Sequence, residues 1–462
     1  MTVRKGQILE LKIEKLCFGG RGLARVNGFA VFVERTVPGD EVRARVFRRK
    51  KNHAEARVLE LITPSPFRVA PPCPYSGFCG GCPWQFLDYE KQLSAKREVV
   101  VEALEHIGQL KDVQVHPVIP SEKKFQYRNK MEFSFSDRRW LLPEELSRDD
   151  ISKDFALGLH VPGTFHKVID IDACLLQPSL GNKILADVRR HAIRSTIPPY
   201  GLRSHQGFWR FLMLRHSLSA DTWMVNVITS EDQAPWVKPL ADLLYEKHDN
   251  ITSIVNNVNT RRASIAVGEQ EIVLAGEPCI RDKIGRFEFE ISANSFFQTN
   301  TAGAESLYEV VKGYAALTGK ETLVDLYSGT GTIPIFLSDG AAKIIGIEIS
   351  ESAIGDAQNN CQKNQVRHCQ FIRGDIITGL KQIRERTHVM IADPPRAGMH
   401  EDVVKAILTL APRRIVYVSC NPATLARDLA LLTEKYHVVE VQPVDMFPHT
   451  YHIECVTRLD LI

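Results

Sequence analysis

The last third of the sequence predicts an α/β fold, a doubly wound and mostly parallel sheet that closes on an antiparallel final strand. Three observations carry this. From about residue 320 onward, short apolar runs alternate with segments of helical spacing. Most of those runs end in a glycine-rich or acidic turn, as strands do when their carboxyl ends open towards a ligand. The last two runs, 438–444 and 452–459, are joined by only seven residues, too few for a helical crossover, so they pair antiparallel.

Taken in order, residues 5–61 alternate β-like runs (7–13, 29–33, 41–47 and 54–61) with glycine turns such as Gly19-Gly20-Arg21-Gly22. That rhythm predicts a small antiparallel, OB-fold-like barrel. Thr63-Pro64-Ser65-Pro66 reads as a linker, and the stretch CPYSGFCGGC follows. Apolar positions at helical spacing from Tyr89 to Ile107 predict a helix. Residues 125–290 mix strand-like runs with loops and show no repeat, which fits a mixed α+β region. In the final part, strands are expected at 322–326, 343–347, 370–372, 389–392 and 415–418, with helices at 332–338 and 352–364. The domains are therefore placed at 1–62, 63–290 and 291–462, the helix near 89–107 being free to pack on the last of them.

A chain of 462 residues, 44% of them hydrophobic, exceeds what one core organises. The N-terminus has no apolar stretch of signal-peptide length, and nowhere do about 18 apolar residues run together. A cytoplasmic protein without a membrane partner is the expectation. The net charge of +3 hides an asymmetry: residues 1–60 carry 14 Lys/Arg against 7 Asp/Glu, a surplus of 7 that leaves the remainder at −4. Arg48-Arg49-Lys50-Lys51 lies inside that surplus and suits a phosphate backbone, although a solvated turn would read the same way.

The polar residues after each strand gather at one sheet edge. They are Asp325-Leu326-Tyr327-Ser328-Gly329-Thr330-Gly331, then Glu348, then Gly374-Asp375, then Asp393-Pro394-Pro395-Arg396, then Ser419-Cys420. An antiparallel last strand begins at that edge and brings Glu454 beside Cys420. The glycine loop is no dinucleotide fingerprint, because Pro334 stands where its third glycine belongs. Glu348 is suited to ribose hydroxyls and Asp375 to an adenine amino group, so the set fits an adenosyl ligand without phosphates, S-adenosylmethionine. Asp393-Pro394-Pro395 is close to the turn with which amino-methyltransferases hold an exocyclic nitrogen, or it simply ends a strand. A cysteine at the next strand end adds a nucleophile that methylation of nitrogen does not need.

IVYVSCNPATLARDL (415–429) and DMFPHTYHIE (445–454) closely resemble the two signatures of the RNA uracil-5-methyltransferases, and SFFQTN, DLYSGTGT and DPPRAG match the same family in order and spacing. The likeness covers nearly the whole chain. It implies a class I (Rossmann-like) methyltransferase domain, an N-terminal TRAM domain that binds RNA, and a central domain containing YRNKMEFSF (127–135). Carbon 5 of uracil is a poor nucleophile until a thiolate adds at carbon 6, and its proton must then be removed by a base. The resemblance gives these roles to Cys420 and Glu454, and gives contacts with S-adenosylmethionine to Gln298, Tyr327, Glu348, Asp393 and Asp375. Phe296 or Phe297 would stack on the target base once it is extruded, although a buried aromatic pair is more often core.

Ten cysteines in a chain read as cytoplasmic point to thiols, ligands or catalysis rather than to disulfides. Cys73-x5-Cys79-x2-Cys82 together with Cys174 supplies four thiols, enough for zinc or an iron-sulfur cluster. Ribosomal members of the resembled family use this arrangement for a 4Fe-4S cluster. Cys17, Cys279, Cys361, Cys369 and Cys455 fit no such pattern and are expected to pack. The resemblance thus implies a monomeric enzyme that methylates large-subunit ribosomal RNA. The same chemistry on transfer RNA is its nearest rival, and a non-catalytic RNA-binding iron-sulfur protein is the rival of another class.

Overall fold

The computed structural model describes residues 3–263 and 265–462. The N-terminal strands are β1 (Ile8–Lys12), β2 (Lys15–Leu16), β3 (Gly22–Val26), β4 (Phe29–Glu34), β5 (Glu41–Arg49) and β6 (His53–Thr63). Their sheet runs β1-β5-β6-β4-β3-β2. Its two outer strands are one continuous stretch bent at residues 13 and 14, where the Glu14 amide still bonds the Leu23 carbonyl. The bend brings the two ends of the sheet together, so that it curls into a barrel joined at β2 and β3. One pair departs from the antiparallel expectation: β4 and β6 run parallel. The barrel core is Val31, Val33, Val42, Ala44, Ala54 and Ala56, small and β-branched residues that fill a narrow lumen.

Helix α1 (Tyr89–His106) starts on Asp88, whose carboxylate accepts the Lys91 amide, and is followed by the short β7 (Gln114–Val115). The middle of the chain forms β8 (Lys130–Ser136), β9 (Ala156–His160), β10 (Val168–Asp170), α2 (Ser179–Ser195), β11 (Trp209–His216), β12 (Trp223–Thr229), α3 (Ala234–Lys247), β13 (Ile251–Val258) and β14 (Gln270–Gly276). These strands make one seven-stranded mixed sheet in the order β10-β9-β8-β11-β12-β13-β14. Every residue of β11 and β12 is buried. One face packs under α2 and α3 through Leu212, Leu214, Val225 and Val227, while Met224 and Val255 join the core of the C-terminal domain. A separate hairpin, β15 (Cys279–Ile284) and β16 (Phe287–Ser292), joins that same core through Phe287, Phe289 and Ile291.

The C-terminal domain continues with α4 (Thr301–Ala315), β17 (Thr322–Leu326), α5 (Thr332–Phe336), β18 (Lys343–Glu348), α6 (Glu351–Lys363), β19 (Cys369–Arg373), α7 (Ile376–Gln382), β20 (Val389–Ala392), α8 (Glu401–Leu410), β21 (Arg414–Ser419), α9 (Pro422–Leu432), β22 (Tyr436–Val444) and β23 (Glu454–Leu461). Its sheet order is β19-β18-β17-β20-β21-β23-β22-β7. The first five strands are parallel, and β23 runs antiparallel to both β21 and β22. This is the doubly wound class I methyltransferase fold with an antiparallel final strand. Helices cover both faces: α1, α8 and α9 on one side, α4 to α6 on the other. Val324, Ile347, Met390, Ile415 and Tyr417 are almost without exposed surface, and burial of each such side chain is worth about 1.5–3 kcal/mol, which fixes the strand ends that carry the site. The chain leaves β17 towards β18 on one side and returns to β20 on the other, so the strand order reverses between Asp325 and Asp393. A crevice opens at such a switch point.

Candidate active site

The site is built from the carboxyl ends of five parallel strands and the start of one antiparallel strand. Register decides its centre. Ser419 of β21 pairs with Cys455 of β23, so Cys420 just beyond the first and Glu454 just before the second continue the same ladder as neighbours. Asn421 caps α9 by accepting the Ala423 amide, and its side-chain amide donates to the Arg396 carbonyl at 3.0 Å, locking the cysteine turn to the turn after β20. Pro422 opens the helix, where a missing amide hydrogen costs nothing. A strand therefore ends on a half-buried sulfur whose backbone is held on both sides.

The electrostatics of the pair are mutual. Burial first, then Glu454, pushes the Cys420 thiol up to about 11, and Arg396 pulls it back. Burial first, then Asp393, pushes the Glu454 carboxyl up to about 8, with Arg396 again opposing. Asp393 rises to about 7 through burial. One exposed guanidinium thus opposes the upward shift of two acidic groups, Cys420 and Glu454, while Asp393 beside them is raised by burial alone. Arg396 lies within DPPRAG, and sequence reasoning gave it no role. Its signal was its place three residues after Asp393, on the turn that faces the cysteine.

The cofactor candidates lie along the same edge. Tyr327 adopts a positive φ of 65°, and the loop after it turns through Gly329 and Gly331, both also at positive φ. A side chain at Gly331 would press on Ala357 at 3.0 Å, so glycine is required there for conformation and for space. Glu348 accepts the amides of Gly329, Ile349 and Ser350, which hold its carboxylate at the mouth of the loop. Together with Tyr327, Ile349, Asp375 and His400 it lines a largely apolar cavity of about 300 Å³. The carboxylate of Asp375 caps α7, accepting the Thr378 amide at 3.0 Å and the Thr378 hydroxyl at 2.6 Å, one on each oxygen, which leaves each oxygen a further acceptor site. Gln298 lies beside the buried Tyr308 hydroxyl, which bonds Thr332 at 3.0 Å, and its backbone carbonyl accepts from Asn129 of the central domain at 2.8 Å.

Two buried polar atoms here, Asp325 Oδ1 and Ser328 Oγ, have no hydrogen-bond partner among the described residues. Burial, Asp393 and Glu348 raise the Asp325 carboxyl far above the usual range. Carboxylates crowded together around unpaired acceptors suit a cationic ligand. S-adenosylmethionine, with an ammonium and a sulfonium, has that chemistry. Phe296 and Phe297 separate cleanly: Phe297 is 4% exposed and packs near Phe289, whereas Phe296 is 68% exposed. The Phe296 carbonyl accepts from Thr330 in the glycine loop, which keeps this aromatic at the pocket rim.

The second cysteine group also comes together. Cys73, Cys79, Cys82 and Cys174 line one cavity of about 270 Å³ with Arg128, Lys130 and Thr299. All four are free thiols. Burial is the main cause of the rise of Cys79 to about 11 and Cys82 to about 12, and the neighbouring cysteines add to both. Among the described residues, no three Cys, His, Asp or Glu side chains stand close enough to hold a single metal ion. Four thiols converging on one cavity are a donor set that either zinc or an iron-sulfur cluster takes.

Comparison with known proteins finds likenesses over nearly the whole chain. Residues 260–461 match the family model described as tRNA (Uracil-5-)-methyltransferase, and residues 2–59 match the TRAM domain. The chain is 41% identical to an uncharacterized RNA methyltransferase of Chlorobaculum tepidum, over 98% of this chain and 96% of that one. It is also 41% identical to one of Porphyromonas gingivalis, over 97% and 99% respectively. Among solved structures, the tRNA (uracil-54, C5)-methyltransferase of Pyrococcus abyssi, in complex with S-adenosyl-L-homocysteine, superposes with a TM-score of 0.76 and 29% identity, covering 98% of this chain and 100% of that one. Among the described residues no helix is long and apolar enough to cross a membrane.

Proposed function

The chain belongs to the S-adenosylmethionine-dependent RNA uracil-5-methyltransferase family, and on that premise we propose that it methylates carbon 5 of a uridine in large-subunit ribosomal RNA through a covalent adduct on Cys420. The observation that carries the reading is the register that makes Cys420 and Glu454 neighbours at the cofactor edge of the sheet. When bound, S-adenosylmethionine supplies a methyl group activated by its sulfonium. Cys420, once ionised, adds to carbon 6 of the uracil and moves an electron pair onto the ring. Arg396 favours that ionisation, since it opposes the rise of the thiol. Carbon 5 can then take the methyl group. Glu454 removes the proton left on carbon 5, the ring double bond re-forms, and the carbon–sulfur bond breaks to release Cys420.

Glu348, Tyr327 and Asp375 would hold the nucleoside end of the cofactor, whereas Gln298 and Asp393 would stand on the Cys420 side. Phe296 would stack on the extruded uracil, and phosphate contacts from the basic barrel would offset part of the extrusion cost of a few kcal/mol. Cys73, Cys79, Cys82 and Cys174 would hold a 4Fe-4S cluster that ties residues 73–82 to residue 174 and supplies rigidity, since no step above is an oxidation or a reduction. The enzyme would act in the cytoplasm as a monomer. Preference for ribosomal RNA rests on the family resemblance, in which barrel and cluster accompany ribosomal substrates. Transfer RNA is the second reading, favoured by the likeness to the Pyrococcus abyssi enzyme.

The test is methyl transfer from labelled S-adenosylmethionine to unmodified ribosomal and transfer RNA, with the product mapped. Label at carbon 5 of a large-subunit uridine is expected. Label in transfer RNA alone would transfer the proposal to the second reading, and label in neither would overturn it.

A further inference from the structure

The loop between β22 and β23, residues 445–453, delivers Glu454, and every major part of the molecule grips it. The Trp84 amide donates to the His449 carbonyl. The His449 amide donates to Gln92 Oε1 at 2.8 Å. From the central domain, the Tyr127 hydroxyl donates to the Pro448 carbonyl, and Phe125 stacks on His449 with ring centres 4.4 Å apart. The barrel arrives through Gly20, where an added Cβ would stand 2.6 Å from Tyr451.

At the root of the loop lies an ion pair with no solvent exposure on either side: Lys96 of α1 donates to Asp445 Oδ1 at 2.6 Å. The same ammonium donates to the Phe447 carbonyl at 3.1 Å, while Asp445 accepts the Phe447 amide at 3.0 Å. The Tyr89 hydroxyl holds the other oxygen of Asp445 at 2.9 Å. From Phe447 the bonding passes along the loop. Its carbonyl also accepts from the Thr450 hydroxyl at 2.8 Å, and Thr450 Oγ1 accepts the His452 amide at 3.1 Å, two residues before Glu454.

We propose that Lys96 is a positioning residue for Glu454. A fully buried ion pair contributes little that a hydrophobic pair of the same volume could not supply as packing. What a hydrophobic pair cannot supply is direction. Lys96 fixes a side chain and a main-chain carbonyl at once, and so sets the path of the loop that aims the carboxylate at carbon 5. This inference rests on the reading of Cys420 and Glu454 given above.

Glu454 is needed to release methylated RNA but not to form the adduct, so the two steps separate the possibilities. With RNA containing 5-fluorouridine at the target, Lys96→Met is expected to form the covalent adduct within about threefold of the wild-type rate. On ordinary RNA it is expected to release product at least tenfold more slowly and to accumulate the covalent complex, with Lys96→Arg restoring part of the loss. The double variant Lys96→Met, Asp445→Leu guards against failure to fold. If the pair directs the loop, the double variant also releases slowly although its thermal stability recovers; if the pair is only structural, release recovers with stability. Equal losses in both steps, or unchanged release, would overturn the proposal. Failure of the wild type to form any adduct would instead count against the reading on which it rests.

Discussion

At the residue scale one guanidinium, Arg396, acts on two acids, Cys420 and Glu454. The Glu454 carboxyl is raised to about 8 by burial and Asp393 and is lowered by Arg396, and as a base it must be ionised. Release of methylated RNA should therefore accelerate as pH rises through about 8. Arg396→Gln removes the opposing positive charge and should move that midpoint to higher pH. Adduct formation should move the same way, because Arg396 also lowers the Cys420 thiol. Glu454→Gln has the opposite sign on the first step, since the carboxylate raises the thiol: adduct formation should shift to lower pH while release slows by at least tenfold. Single-turnover rates from pH 6 to 9.5 check all three shifts. A profile indifferent to Arg396 would remove it from the site.

At the element scale, the parts legible in the sequence were those with one kind of exposure. The edge residues of the parallel sheet were readable because buried β-branched runs end abruptly in polar turns, and β17 and β20 lie where the pattern places them, at Thr322–Leu326 and Val389–Ala392. The reading failed where both faces of a strand are covered. β11 and β12, WRFLMLRH and WMVNVIT, show no useful alternation because α2 and α3 cover one side, while on the other Phe211, Met213 and Ile228 pack with Ala266 and Met224 joins the C-terminal core. β3 was missed because it follows directly on a glycine turn and is only five residues long. The final hairpin was expected from His452, yet β23 begins at Glu454, since residues 445–453 are held by other segments rather than by the sheet. Lys96 and Asp445 could not be found by periodicity at all: a lysine on an amphipathic helix reads as solvent-facing until its partner, 349 positions away, is known.

At the scale of the whole molecule, the N-terminal barrel, the middle sheet and the C-terminal sheet meet on one loop, and two chain segments meet on four sulfurs. Cys174 comes from the central domain and Cys73, Cys79 and Cys82 from the segment before α1, so a cluster would join them across 92 to 101 positions. Protein purified without oxygen is expected to be brown with broad absorbance near about 400 nm, and Cys174→Ser to be colourless with a lower melting temperature. Colourless wild type with one zinc per chain would assign the thiols to zinc. The central claim is that Cys420 and Glu454 act on one uracil ring. It is tested most directly by trapping the enzyme on 5-fluorouridine RNA, whose fluorine cannot leave as a proton does, and sequencing the cross-linked peptide by mass spectrometry. The account predicts a methylated fluorouridine on the peptide containing Cys420, absent in Cys420→Ala; an adduct on any other residue, or one that persists in that variant, would contradict it.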